Sequence, residues 1–197
     1  GSEMCIRDRV QDIIIPAEAA DFLVRVCQFV DDLLVRLYGM EPYYRVRGKE
    51  DLVGKLVVGL SPHTSVGVVG RVIGFTRARV CYAHPLWHAA KRRDCDGDED
   101  AIMMLMDVLL NFSRKFLPAQ AGGMMDAPLF LLPLIVAEEV DDQAHNLDVA
   151  ERYPRELYRA SREGLEPKEV REVEVVRQRL GTPLELAGYR YTHETSD

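Results

Sequence analysis

Two kinds of apolar pattern alternate along the chain: long stretches at helical spacing, and short runs broken by glycine and proline. Ile13-Ile14-Ile15 before Pro16 predicts a short extended lead-in. Phe22, Val26, Phe29/Val30, Leu33 and Leu37 recur at helical spacing, which predicts a helix from about Ala17 to Tyr38, stopped by Gly39. Leu52 to Leu60 is apolar and glycine-punctuated, with Leu56-Val57-Val58 as its strand. Pro62 to Ser65 predicts a turn. Val66 to Phe75 carries Gly67, Gly70 and Gly74 among β-branched residues, a density that predicts bulges or close backbone approach. Arg77 to Ala83 predicts another strand.

Pro85 to Arg93 predicts a loop or short helix, and the acidic stretch behind it a loop. Ala101 to Phe116, rich in Met and Leu, predicts a buried helix ended by Pro118. Gly122-Gly123 forms a joint. Pro128 to Val136 predicts an edge or interrupted strand, because Pro133 cannot donate to a ladder. Pro154 opens a short helix to about Ser161. Pro167 to Leu180 predicts a polar-faced helix with Val170, Val173 and Val176 inward, stopped by Gly181. Tyr189 to Asp197 carries no terminator, as expected of a fragment.

Composition narrows the picture. Hydrophobic residues make up 47% of 197, enough for one domain with a real core. The net charge of −7 is the wrong sign for a surface that grips nucleic acid throughout, so any such contact is local or shared with other parts of a larger protein. Cys5, Cys27, Cys81 and Cys95 are widely spaced, without a Cys-x-x-Cys pair. They are expected to be reduced thiols, as in a cytoplasmic protein. No apolar run approaches the ~20 residues that span a bilayer, so no membrane association is expected. Gly1 to Arg9 lacks periodicity, is similar to translated sequencing adapter, and is set aside as a read-through scar.

The chemistry concentrates at Asp94-Cys95-Asp96-Gly97-Asp98-Glu99-Asp100, where five of seven residues are acidic. Carboxylates this close repel unless a cation neutralises them. In a tight loop bent at Gly97, Asp94, Asp96 and Asp98 point to one side and offer hard oxygen ligands. A calcium loop of the EF-hand type fails in this register: position six is Glu99 rather than glycine, and position twelve is Leu105 rather than glutamate. Glu99 and Asp100 are expected to be the polar start of the following helix.

His84, His88, Lys91, Arg92 and Arg93 precede the acidic run. Beside metal-bound carboxylates, such cations can neutralise charge building on phosphate oxygens. Simple charge balance of the acidic run is the competing reading. His84 and His88 have zinc-ligand spacing, but a third ligand is missing. Asp126 and His145-Asn146 fit structural turns.

These residues carry a family resemblance. Asp94-Cys95-Asp96-Gly97-Asp98 resembles the aspartate loop of multisubunit RNA polymerases. The wider set resembles the large subunit of archaeal family D DNA polymerase: Ser61 to Ser65, Gly70 to Phe75, Tyr82 to Pro85, His88 to Arg93, Leu110 to Ser113, Met125 to Leu129, Val140 to Asp142, Arg152 to Pro154 and Gly181 to Leu184. The similarity runs in order over residues 10 to 197.

The resemblance implies an α+β fold, a double-psi β-barrel with flanking α-helices. It divides the chain into an N-terminal helical segment (10–48), a barrel region with the aspartate loop (49–147) and a C-terminal helical segment (148–197). It implies DNA-directed DNA polymerase activity in replication through two Mg²⁺ or Mn²⁺ ions. Asp96 and Asp98 would be the catalytic metal ligands. Asp94, where the family is expected to carry asparagine, would be a third ligand or lie outside the shell. Lys91, Arg92, Arg93, His88 and His84 would meet DNA or nucleotide. The implied partners are primer-template DNA, dNTPs, a small exonuclease subunit supplying 3′–5′ exonuclease activity, and a sliding clamp. The alternative is a non-catalytic barrel that binds metal or nucleic acid.

Overall fold

The computed structural model describes residues 10–61, 64–93, 98–111, 129–150, 152–166, 169–170 and 172–187. The fold is mixed α+β, built on a six-stranded sheet. Two compact units divide at Ile135/Val136.

The first unit is organised by β3 (Val66–Thr76), the longest strand. Strand β2 (Leu56–Leu60) runs antiparallel along one side of it, and β5 (Ala101–Met104) pairs antiparallel with the far side of β2. The other side of β3 is shared. β1 (Asp12–Pro16) lies parallel to residues 71–76, with a register shift between Ile13 and Ile14, and β6 (Phe130–Leu132) lies parallel to residues 66–68. The short β4 (Tyr82–Ala83) closes the outer edge of β1. β6 stops at Pro133, as an interrupted edge strand should.

Gln11 fills the gap between β1 and β6. Its Nε2 donates to the Val69 carbonyl at 2.6 Å and to the Pro133 carbonyl at 3.1 Å, while its Oε1 accepts from Ile135 N–H at 3.3 Å. One buried amide thus replaces the missing ladder bonds along β3.

Helix α1 (Ala17–Arg36) covers the sheet and ends before Gly39, whose φ of +64° suits glycine. Its buried stripe is Ala20, Leu23, Cys27, Val30 and Leu34. Of the residues at helical spacing, Val30 is buried and Val26 packs against the core, whereas Phe22 and Phe29, both 58% exposed, and Leu37, 69% exposed, point outward. The core joins this stripe to Ile13, Ile15, Val57, Val68, Val72, Trp87 and Met104. The loop after α1 is tied back by Asp31, whose carboxylate accepts from the N–H groups of Tyr43, Tyr44 and Arg45 at 2.7–2.9 Å.

Other expectations are corrected too. Over the described part, 101–111, of the helix expected at 101–116 the chain forms strand β5 followed by α3 (Leu105–Asn111), and 112–116 lie outside the described residues. Leu60 and Gly59 pair with Ala101 and Ile102, and sheet pairing overrides helical composition there. The strand expected over 77–83 shrinks to β4. The expected joint at Gly122-Gly123, Asp126, Pro62 and His63 of the turn, and the tail from Tyr189 lie outside the described residues.

In the second unit, α4 (Arg155–Glu163) begins after Pro154 and stops at Gly164, φ +70°. The helix expected over 167–180 is not formed by its described residues, which hold bends and a 3₁₀ turn at Val176–Gln178. Val170 and Val176 are nevertheless buried. Val175 instead makes a β-bridge with Asp148. His145 is buried and donates from Nε2 to the Ala137 carbonyl at 2.9 Å, a structural role.

Among the described residues no helix is long and apolar enough to cross a membrane. Cys27 and Cys81 are free thiols, with burial pushing them up to about 12 and about 11.

Candidate active site

Helix α2 (Pro85–Ala90) leads into the acidic run, and β5 leaves it. The helix starts on Pro85, with His84 as its N-cap: the ring Nδ1 accepts from Leu86 N–H at 3.1 Å. Trp87 then plunges into the core with no exposed surface, and its Nε1 donates to the Val69 carbonyl at 3.2 Å. Room for the indole comes from glycine. A Cβ at Gly59 would fall 2.6 Å from two indole carbons, and one at Gly70 would fall 3.2 Å from Nε1. This is the close approach expected of Gly70; at Gly74 there is open space.

Trp87 carries Lys91. The Lys91 ammonium sits 3.5 Å from an indole ring centroid, fully buried, and pairs with the Asp100 carboxylate. Burial lowers the Lys91 pKa, and the hydrogen bond and charge of Asp100 oppose that shift. The backbone is fixed as well, because Ser61 Oγ donates to the Lys91 carbonyl at 2.6 Å.

Arg93 extends the cluster. Its Nη1 lies 3.5 Å from an Asp98 carboxylate oxygen, and its Nε lies 3.8 Å from Asp100 Oδ1. The Arg93 side chain is 14% exposed and that of Asp98 is 41% exposed, so the pair straddles the boundary with solvent. Arg92, between Lys91 and Arg93 in the chain, is exposed, with φ +58°. His88 stacks edge-on against Trp87 with centroids 5.5 Å apart, and burial holds its pKa down to about 4. It is therefore neutral near pH 7.

The structure thus brings Lys91, Arg93, Asp98 and Asp100 together, while His84 caps a helix and His88 packs beside Trp87. Asp94, Cys95, Asp96 and Gly97 lie outside the described residues. Asp100 is not the start of a helix: it is a part-buried ion-pair partner one residue before β5. Sequence reasoning missed it, along with Trp87 and Ser61. The available signal was Trp87 and Lys91 at i, i+4 on one helix.

A hard divalent cation needs oxygen ligands with free lone pairs. Asp98 fits: it is solvent-accessible and its one described ionic partner is Arg93. Asp100 is committed to Lys91. Among the described residues no group of three or more His, Cys, Asp or Glu side chains is placed to hold a metal.

The sequence profile described as "DNA polymerase II large subunit DP2, catalytic domain" matches residues 2–197. Relatives named DNA polymerase II large subunit include those of Methanosarcina barkeri, 54% identical over 190 residues, and Archaeoglobus fulgidus, 53% identical over 188 residues. The matches cover 96% and 95% of this chain but 17% and 16% of the relatives. That of Methanococcoides burtonii is 51% identical over all of this chain and 17% of its own length. The chain therefore spans a small part of the curated relatives it matches.

Proposed function

Because the chain belongs to the family of the DNA polymerase II large subunit catalytic domain, we propose that it is the aspartate-bearing part of a DNA-directed DNA polymerase that acts in replication. One observation carries this reading: the family match spans the acidic run and the basic residues before it. Asp96 and Asp98 are the catalytic metal ligands, with Asp94 adjoining them. Bound Mg²⁺ or Mn²⁺ would activate the primer 3′-hydroxyl and stabilise the pyrophosphate leaving group.

Arg92, exposed at the loop's entry, faces the phosphates of primer or nucleotide. Arg93 holds Asp98 and turns toward substrate when a cation takes its place. Lys91, buried on Trp87 and paired with Asp100, anchors the chain on the N-terminal side of the acidic run rather than meeting substrate. His88 and His84 position α2. The barrel is of the double-psi type. The partners are primer-template DNA, dNTPs, a small subunit with 3′–5′ exonuclease activity and a sliding clamp, in the cytoplasm.

The test is primer extension by a full-length family member, assembled with its partner subunit and carrying the equivalents of Asp96→Asn or Asp98→Asn. Loss of extension with intact assembly supports the reading; extension at the wild-type rate removes it. The net charge of −7 favours a second reading for the isolated chain, a barrel that binds metal without catalysis.

A further inference from the structure

In the second unit, the segment from Arg152 to Arg162 carries exposed arginines at 152, 155, 159 and 162 and exposed tyrosines at 153 and 158. Helical period puts Arg155, Arg159 and Arg162 within about 60° of arc, one row along α4. Ala160, buried, and Leu157, half-buried, lie on the opposite side of the helix, so the row faces solvent. Tyr158, 61% exposed, borders the row on one flank, and Glu156 and Glu163 lie together on the other. Among the described residues, none of these four arginines pairs with a carboxylate, whereas Arg177 and Arg179 of the same unit sit 3.5 Å from Asp142 and 2.6 Å from Glu174. In a chain of net charge −7, this short segment gathers cations that the fold does not neutralise.

We infer that this face of α4 is a contact surface for single-stranded nucleic acid, with the arginines on its phosphates and the Tyr158 ring against a base. The row from Arg155 to Arg162 extends over about 10 Å of helix axis, long enough to meet more than one phosphate of a strand. A planar guanidinium fork suits phosphate oxygens. An aromatic ring beside a basic track stacks on bases that are free of their pairs, which favours a single strand over a duplex. The choice of nucleic acid over an acidic protein rests on the polymerase reading above.

The experiment measures binding of a fluorescein-labelled oligothymidylate to the 197-residue chain by anisotropy at low ionic strength, with circular dichroism as a check of folding. The variants are Arg155→Gln/Arg159→Gln/Arg162→Gln, the control Arg25→Gln/Arg36→Gln/Arg47→Gln, and Tyr158→Ala. Both triples remove three positive charges, so net charge is matched. The expected result is at least a tenfold loss in the α4 triple, with the log–log salt slope reduced by about 2, and binding within twofold of wild type in the control. Tyr158→Ala should lose at least fivefold on the single strand and nothing on a blunt duplex of the same length. No binding by wild type, or equal losses in the two triples, overturns the inference. So does tighter binding to labelled polyglutamate than to the oligonucleotide, or a Tyr158→Ala variant that binds the single strand as wild type does. If the α4 triple does not fold, wild-type affinity in Arg159→Gln overturns it. Primer extension by the aspartate variants is a separate readout, so either reading can fail without the other.

Discussion

Lys91 and Asp100, nine residues apart in the chain, meet as a part-buried ion pair at the foot of β5. Neither lies where a substrate could reach it easily: the Lys91 side chain has no exposed surface and that of Asp100 is 13% exposed. The pair joins the end of α2 to the start of β5, and so ties the site to the sheet.

Breaking that pair from one side is expected to be costly. Asp100→Ala leaves the Lys91 ammonium buried without its counter-charge and should destabilise the chain by about 3–5 kcal/mol. Replacing both partners by apolar residues should cost far less, because no charge is stranded. Urea unfolding of the single and double variants checks this. Equal losses in both would contradict a charge-based origin.

Packing beneath Lys91 gives a second prediction. Gly59→Ala places a methyl 2.6 Å from two Trp87 carbons and 2.9 Å from Lys91 Cδ. Strand and indole must shift, at a cost of about 1–3 kcal/mol. Gly74→Ala meets open space and should be near neutral. Thermal unfolding of the two variants side by side decides the matter.

A third concerns acid. Burial holds His88 at about 4 in the folded chain against an ordinary 6.5. The unfolded chain binds the proton more readily, so stability is present above pH 6.5 and drains as pH falls toward 4. The His88 share is on the order of 3 kcal/mol. His88→Gln should flatten the pH dependence of stability in that window. An unchanged slope between pH 6.5 and 4 would show that His88 is not the group responsible.

Helix α1 provides a fourth. Leu23→Ala and Leu34→Ala remove buried contacts and should cost about 2–5 kcal/mol each. Phe22→Ala and Phe29→Ala act on residues that are 58% exposed and should cost much less. Chemical denaturation distinguishes the faces.

How far the sequence reveals this architecture depends on the element. The limits of α1, the strands β1 to β3, and the stop of β6 at Pro133 follow from period and punctuation. The face of α1 follows only in part, because apolar residues lie on more than one side of the helix. Val30 belongs to the set picked out by spacing and is buried, but Phe22, Phe29 and Leu37 of that set are exposed while Ala20, Leu23, Cys27 and Leu34 face the core. The β5–α3 boundary is hidden because Ala101 to Met104 has helix-forming composition and becomes strand only by pairing with β2. At the site, the acidic and basic residues are legible as a motif. The inward turn of Lys91 and Asp100 is not, since charge in a sequence normally signals surface. Gln11 is missed similarly: only the shared edge of β3 explains a buried amide.

The isolated chain is expected to be inactive. It spans 17% of the Methanosarcina barkeri relative and carries net charge −7, which opposes unaided grip on a phosphate backbone. Template-dependent primer extension by the purified chain would show this to be wrong.

The most direct test of the central claim, that the acidic run is a cation site, is anomalous diffraction from crystals of the chain soaked in Mn²⁺. The predicted result is an anomalous peak at the loop, about 2–2.6 Å from an Asp98 carboxylate oxygen, with Arg93 displaced from Asp98 and the Lys91–Asp100 pair intact. A loop without a peak, with Arg93 still on Asp98 at saturating Mn²⁺, would contradict it.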